Sequence, residues 1–378
     1  MSEVSTETGT VQQKTDEGVR KDPLSDFSAL LRSYRLRLES ELGRYLEAHA
    51  VSAARYGGAT RELTDPLRDF VARGGKRLRP ALVHFAYRAA GGSDDRTLPV
   101  EMAVELLHTY LLIHDDIMDR AETRRGGLAA HRFFDRQHRR NDWAGDSGRH
   151  GEAAAILLGD LAHSHAVSLF LSSAADQHHD LRASECFSEM CREVVVGQYL
   201  EMTAPQRADL VEEDLLTILR LKSGRYSFER PIQLGALLAN ASESLLEGLS
   251  NYGMALGEAF QLQDDLLGVF GDLEEMGKPV GGDLAEGKFT VLIQAAIERA
   301  DASERRRIVQ CLQHENPDAD EITQVHDIIE RVGARQKVEA MVQQRLDSSA
   351  KELGRLEIGG EAEVFFAGLS EYLRERRS

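Results

Sequence analysis

The chain has 378 residues, 42% of them hydrophobic, and a formal net charge of -17 from 46 Lys+Arg against 63 Asp+Glu. That balance describes a soluble globular protein and excludes general nucleic-acid binding, which needs a basic surface. Only eight prolines occur, none between Pro99 and Pro205. Long runs rich in Ala, Leu, Glu, Arg and Gln favour helix, and no alternating strand pattern interrupts them. The expected fold class is all-α, a single-domain helical bundle around a central cavity.

Residues 1–25 carry Ser, Thr, Glu, Gln and Lys with almost no large apolar side chains. Such a segment cannot bury enough surface to offset chain entropy, so a disordered tail is expected, with the helical domain over 26–378. The tail has no apolar signal core, and no later segment reads as an uninterrupted membrane span. Cys186, Cys191 and Cys311 form no metal or disulfide pattern, which fits a reducing cytoplasm. Cys186 and Cys191 are expected as small apolar residues on one helix.

The folded region opens with Gly74-Gly75-Lys76-Arg77-Leu78-Arg79-Pro80. The glycines let backbone approach a ligand, and the cations suit phosphate oxygens. Alone, the segment reads equally well as a solvated basic turn. An apolar helix follows from about Pro99 to Asp119, expected to be central and buried. It ends in Asp115-Asp116-Ile117-Met118-Asp119. Residues four apart share a helix face, so Asp115 and Asp119 point the same way with Asp116 beside them. Crowded carboxylates repel unless a cation sits between them. Mg2+ fits, being a hard ion that takes one or two carboxylates plus substrate phosphates. Arg124-Arg125 comes next, and then a polar stretch, 137–148, read as a surface loop with Trp143 anchoring it to the body.

A second acidic pair, Asp264-Asp265, is preceded by Gln261 and flanked in sequence by Lys222 and Lys278. Gly253 and Gly257, four apart, suggest a close helix–helix contact. Two acidic clusters facing each other would hold a diphosphate through bridging metals.

The ordered set GGKRLRP, DDIMD with RRG, KSGRYSFERP, and QLQDD with its trailing GKP resembles the trans-isoprenyl diphosphate synthases, the polyprenyl synthetases, from about Asp65 to Ile293. The resemblance implies that Asp115, Asp116, Asp119, Asp264 and Asp265 ligate about three Mg2+ around an allylic diphosphate. Arg124, Lys222 and Lys278 would contact that diphosphate. Lys76, Arg79, His108 and Arg125 would hold the diphosphate of isopentenyl diphosphate. Ser223 and Gln261 would set oxygen dipoles near a developing carbocation, and Tyr226 matches a further active-site position. The resemblance also implies a homodimer.

One departure is visible: the fuller form of the second motif ends in aspartate, and here that position is Gly268. Asp283 is a candidate partner of the metals. Tyr110 and Leu111 stand five and four residues before Asp115, roughly 6–7.5 Å deeper along a helix. Tyr110 is therefore the expected floor for a growing chain. A single aromatic there resembles geranylgeranyl diphosphate synthases, with farnesyl or longer products as alternatives. A class I terpene cyclase also uses a DDxxD helix but needs no second diphosphate site. A non-catalytic subunit of a heteromeric synthase would be expected to lose an acidic cluster.

Overall fold

Eight consecutive residues, Val100 to Leu107, are buried, including the carboxylates Glu101 and Glu105. A helix buried on every side is a core helix, and this one, α4, is the axis of the fold. The computed structural model describes residues 23–173, 181–207, 210–271, 281–314 and 317–376. In order come α1 (Pro23–Ala53), α2 (Arg61–Ala72), α3 (Leu78–Ala89), α4 (Leu98–Met118), α5 (Ala130–Arg140), α6 (Ser147–Ser173), α7 (Leu181–Thr203) and α8 (Glu212–Leu219). A π-helical segment, Arg220–Glu229, leads into α9 (Arg230–Leu238) and the long α10 (Glu243–Phe270). The short helix Gly282–Ala285 and the helices Val291–Arg299, Ala302–Gln313, Ala319–Arg331, Ala334–Leu353 and Gly360–Glu375 complete the bundle. Among the described residues, strand is limited to β1 (Thr123–Arg124) and β2 (Gly127–Leu128). The all-α expectation holds.

Buried charge on α4 is fully used. Glu101 accepts hydrogen bonds from Tyr34, Arg37 and Thr97 at 2.7–3.2 Å and lies 3.0 Å from His84 Nδ1. These contacts tie α1, α3 and α4 together. Around α4 pack α3, α5 and α6, while α10 lies against the π-helical segment, α9 and the helix Ala334–Leu353. The two acidic motifs therefore ride on two long helices of the bundle.

Several boundaries differ from the sequence reading. α1 begins at Pro23, inside the segment expected as tail, and residues 1–22 lie outside the described residues. Helix α5 runs through Gln137 to Arg140, so the polar connection is shorter than 137–148. Trp143 packs edge-on against His138 and His150, at 5.9 and 5.3 Å between ring centroids, pinning the connection between α5 and α6. By length and composition alone helix α6 could cross a membrane, although Asp160, His163 and His165 interrupt its apolar run. Here it packs along α4 and α5.

Candidate active site

The last turn of α4 presents the first acidic cluster. Asp119 is the C-cap, its N–H donating to Asp115 O at 2.8 Å, so the shared face persists to the helix end. Asp115 lines an open cavity, and Gln198 Nε2 of α7 donates to its Oδ1 at 3.1 Å. Asp116 differs: it is fully buried and clasped by Arg124, whose Nε donates to Oδ1 at 2.7 Å. Burial first, then the Asp115 charge, pushes the Asp119 carboxyl up to about 6.

Arg124 reaches back because the chain reverses in a two-residue hairpin. Arg125 and Gly126 take φ values of 50° and 71°, the left-handed pair that joins short antiparallel strands. The turn sends the two arginines to different places. Arg124 stays on the aspartates, with Nη2 3.8 Å from Asp115. Arg125 lies against Gly75, where an added Cβ would sit 2.9 Å from its guanidinium, and 3.6 Å from buried Glu105.

The three cations of the glycine-rich segment also divide. Arg77 is structural: its guanidinium is buried, donates to Val71 O at 2.6 Å and pairs with Glu105. Arg79 faces the cavity. It donates to His108 Nε2 at 3.2 Å and to Ser227 Oγ at 2.7 Å, and lies 4.8 Å over the Tyr226 ring. Because arginine only donates, His108 Nε2 must accept, so Nδ1 carries the proton and donates to Tyr226 Oη at 2.9 Å. Burial, then Arg79 and Arg125, hold His108 well below its ordinary pKa, so the ring is neutral. Lys76 stands apart from this group, exposed and 5.6 Å over the Tyr372 ring.

Lys222, Ser223 and Tyr226 lie on the π-helical segment, a rare form that recurs at functional sites. Glycines seat it between two helices. A Cβ at Gly197 of α7 would meet Lys222 N at 2.5 Å, and one at Gly257 of α10 would meet Gly224 Cα at 2.7 Å. The close contact expected at Gly253 and Gly257 is therefore made. Lys222 pairs with Glu201 and lies 4.0 Å from Asp115.

On α10, Gln261 Nε2 donates to Asp265 Oδ1 at 2.9 Å. Burial drives the Asp265 carboxyl up to about 8 despite that bond, with Asp283 adding to the rise. Asp264 is raised by burial, a shift that Arg376 offsets through an ion pair at 2.5 Å. Lys288 pairs with Asp283 at 3.2 Å and Glu286 at 2.7 Å, and its charge is also felt at Asp119. The two clusters thus meet around Lys288 and Lys222. Lys278 and the GKP that trails the second motif lie outside the described residues.

Sequence reasoning missed Gln198, Glu201, Lys288 and Arg376. Their only common property is position: each comes from a segment distant from either acidic motif. Lys288, five residues after Asp283, is the one that a charge-pairing argument could have found.

The residues present fit a hard cation. Asp119, Asp264 and Asp265 are all held above ordinary carboxyl values, and an ion among them would relieve that cost. Among the described residues no three such side chains converge into a closed metal centre. An ion shared with diphosphate oxygens suits this arrangement better than a protein cage, as Mg2+ prefers.

Beside Asp115 of the first cluster a cavity of about 420 Å³ runs between α4 and α7. Arg79, His108, Asp115 and Lys222 line it together with apolar Leu111, Val194 and Val195. Tyr110 also lines it, half-buried, with its ring 4.6 Å from His114 and 5.0 Å from His163.

A cavity with a charged rim and an apolar body, on an all-helical frame, defines a class of enzyme that binds a diphosphate with a hydrocarbon tail. The polyprenyl synthetase family model matches residues 60–329. The short chain isoprenyl diphosphate synthase of Methanothermobacter thermautotrophicus is 32% identical over 306 residues, 81% of this chain and 88% of that one. The geranylgeranyl diphosphate synthase of Methanosarcina mazei is 37% identical over 238 residues, 63% of this chain and 68% of that one. Among solved structures, geranylgeranyl pyrophosphate synthase from Corynebacterium glutamicum, complexed with isoprenyl diphosphate and magnesium, superposes with a TM-score of 0.86. It is 32% identical, with 94% of this chain and 99% of that chain covered. The chain belongs to the polyprenyl synthetase family. It is a trans-prenyltransferase, an enzyme of isoprenoid biosynthesis that joins prenyl units head to tail.

Proposed function

We propose that the protein condenses isopentenyl diphosphate with an allylic diphosphate to make geranylgeranyl diphosphate, with farnesyl diphosphate as the second choice. The observation that carries this is the cavity: Asp115, Lys222 and Arg79 line it together with an apolar wall that includes Tyr110. The volume falls at the low end of small-molecule sites, roughly 300–1,000 Å³.

Asp115, Asp119 and Asp264 would hold about three Mg2+ shared with the allylic diphosphate, with Asp265 nearby and Asp116 fixing Arg124. Bound Mg2+ supplies positive charge to the departing diphosphate. Arg124, Lys222 and Lys288 add to that charge, with Lys278 assigned to the same group. Arg79 and Arg125 hold the diphosphate of isopentenyl diphosphate, His108 sets the orientation of Arg79 by accepting from it at Nε2, and Lys76 closes on the diphosphate from the outer side. The allylic carbon–oxygen bond breaks, and the double bond of isopentenyl diphosphate forms the new carbon–carbon bond. The proton lost from the adjacent carbon passes to the released diphosphate. Ser223 and Gln261 turn oxygen atoms toward the cation, Tyr226 lines the site beside His108, and the apolar walls keep water from it.

We also assign a homodimer in the cytoplasm. Exposed Ile156 and Leu157 on α6 and Val196 on α7 supply apolar surface of the kind that subunits bury. The test of the reading is incubation with Mg2+, isopentenyl diphosphate and each allylic primer, followed by chromatography of the dephosphorylated products. Consumption of an allylic diphosphate without isopentenyl diphosphate would identify a cyclase instead.

A further inference from the structure

Gly159 is buried on α6, and the space its missing side chain leaves is filled from α4. A Cβ built on it would lie 2.4 Å from His114 Nε2 and 2.5 Å from Cδ2 of the same ring. That is about 1 Å inside ordinary contact, so any side chain at 159 must move the imidazole. The same nitrogen lies 3.1 Å from Ile156 O of α6. A carbonyl only accepts, so Nε2 carries the proton and donates. His114 is thus docked on α6 by a hydrogen bond and a glycine, immediately before Asp115.

This ring has a second neighbour. His114 lines the cavity, and it meets the Tyr110 ring edge-on at 4.6 Å between centroids. His163 of α6 also lies against Tyr110, at 5.0 Å. Positions 156, 159 and 163 recur at the three- and four-residue spacing of one helix face. Tyr110 therefore stands where it does because that face of α6 holds it, in part through His114. The His114 ring backs onto α6, so displacing it drives it toward Tyr110 and the cavity.

We propose that Gly159 and His114 form a seat on α6 that sets how far the product chain can grow, by fixing how far the Tyr110 ring stands into the cavity. The inference rests on the reading of this cavity as the site of chain growth. Gly159 is a positioning residue: it does not line the cavity and acts only through His114.

The test is the product distribution of variants with the same primer, read by chromatography of the dephosphorylated products, alongside thermal melts. Gly159→Ala should raise the ratio of the next shorter product to the parental one about tenfold, the scale on which an apolar pocket discriminates a single methylene. His114→Ala removes the ring and frees Tyr110, so products should shift toward longer chains. The double variant should match His114→Ala alone, because the added methyl then has no ring to push. Lost stability would lower the yield of every product without reordering the ratio. An unchanged ratio in folded Gly159→Ala, or a shortening that persists without His114, would overturn the inference. Should Gly159→Ala fail to fold, His114→Ala decides: longer products support the seat, and unchanged or shorter ones overturn it. A parent protein that makes no elongated prenyl diphosphate would instead bring down the reading of the cavity.

Discussion

The two acidic clusters are built differently. The first is local: Asp115, Asp116 and Asp119 occupy one helix end, and the arginine that clasps Asp116 arrives eight residues later through a tight hairpin. The second is assembled. Asp264 and Asp265 come from α10, Asp283 and Lys288 from a downstream segment, and Arg376 from beyond the final helix. A local cluster depends on one helix keeping its register. An assembled one depends on several segments packing correctly and can be re-engineered one part at a time.

The largest effect is expected at the local cluster. Asp115→Ala should lower turnover by about 10²–10³-fold, the scale for removing one preorganised electrostatic group. Its melting temperature should hold, because the side chain faces the cavity and removing it relieves repulsion. Near-normal rates at saturating Mg2+ would end the distinction between this cluster and ordinary surface acid.

Arg79→Ala tests whether the second diphosphate site is independent of both clusters. A lost charge-assisted contact costs about 1.5–3 kcal/mol, roughly ten- to a hundredfold in the KM for isopentenyl diphosphate. The Mg2+ requirement and the KM for the allylic primer should stay put. Lys76→Ala should do less, since that ammonium is exposed and sits over Tyr372.

Tyr110→Ala probes the wall beneath the first cluster alone. Its ring lies near His114 and His163, packs against the core and borders the cavity. Products should lengthen by about one isoprene unit while catalysis continues, as Asp115 stands roughly 7.5 Å away along the helix. An unchanged product distribution from a folded, active variant would move the floor to another helix.

The clusters should also separate by pH. An aspartate in an unfolded chain titrates near ~3.9, whereas Asp119 is raised to about 6 and Asp265 to about 8. Both shifts are upward, so the stability they contribute is complete below pH ~4 and is lost as pH rises through each folded value. The metal-free protein should lose stability from about pH 4 to 6 through the first cluster, and on to about pH 8 through the second. Added Mg2+ and diphosphate should therefore raise the melting temperature more at the alkaline end. A thermal shift independent of pH would mean that the carboxyls are not desolvated.

Smallest is the change expected for Arg376→Ala, which touches only the assembled cluster. Removing the guanidinium frees Asp264 for an ion, and the half-saturating Mg2+ concentration should fall by up to about fivefold, the range of a partly exposed ion pair. A rise would show that Arg376 organises the cluster and does not compete for it.

Legibility in the sequence follows the same division. Asp115, Asp119 and the buried helix behind them can be read from spacing, because 3.6-residue periodicity alone determines which side chains share a face. Asp116 could not be separated from its neighbours that way; its burial depends on Arg124 folding back. Arg77 and Arg79 look alike in the sequence, yet one neutralises buried Glu105 and the other faces the cavity. Arg376 lies 112 residues from Asp264, and no periodicity connects positions so far apart. The helical class was plain from composition, while the extent of α5 and the π-helical segment depended on packing that composition does not encode.

That π-helical segment has a consequence for how the gene can change. Each residue in an α-helix advances the chain by about 1.5 Å and ~100°. Losing one residue between Lys222 and Tyr226 would wind the stretch back toward α form and change which faces those two side chains share. Lys222 could then not reach Asp115 while Tyr226 kept its bond to His108. Around this turn, the number of residues is under tighter constraint than their identity, and insertions or deletions should be excluded where many substitutions are tolerated.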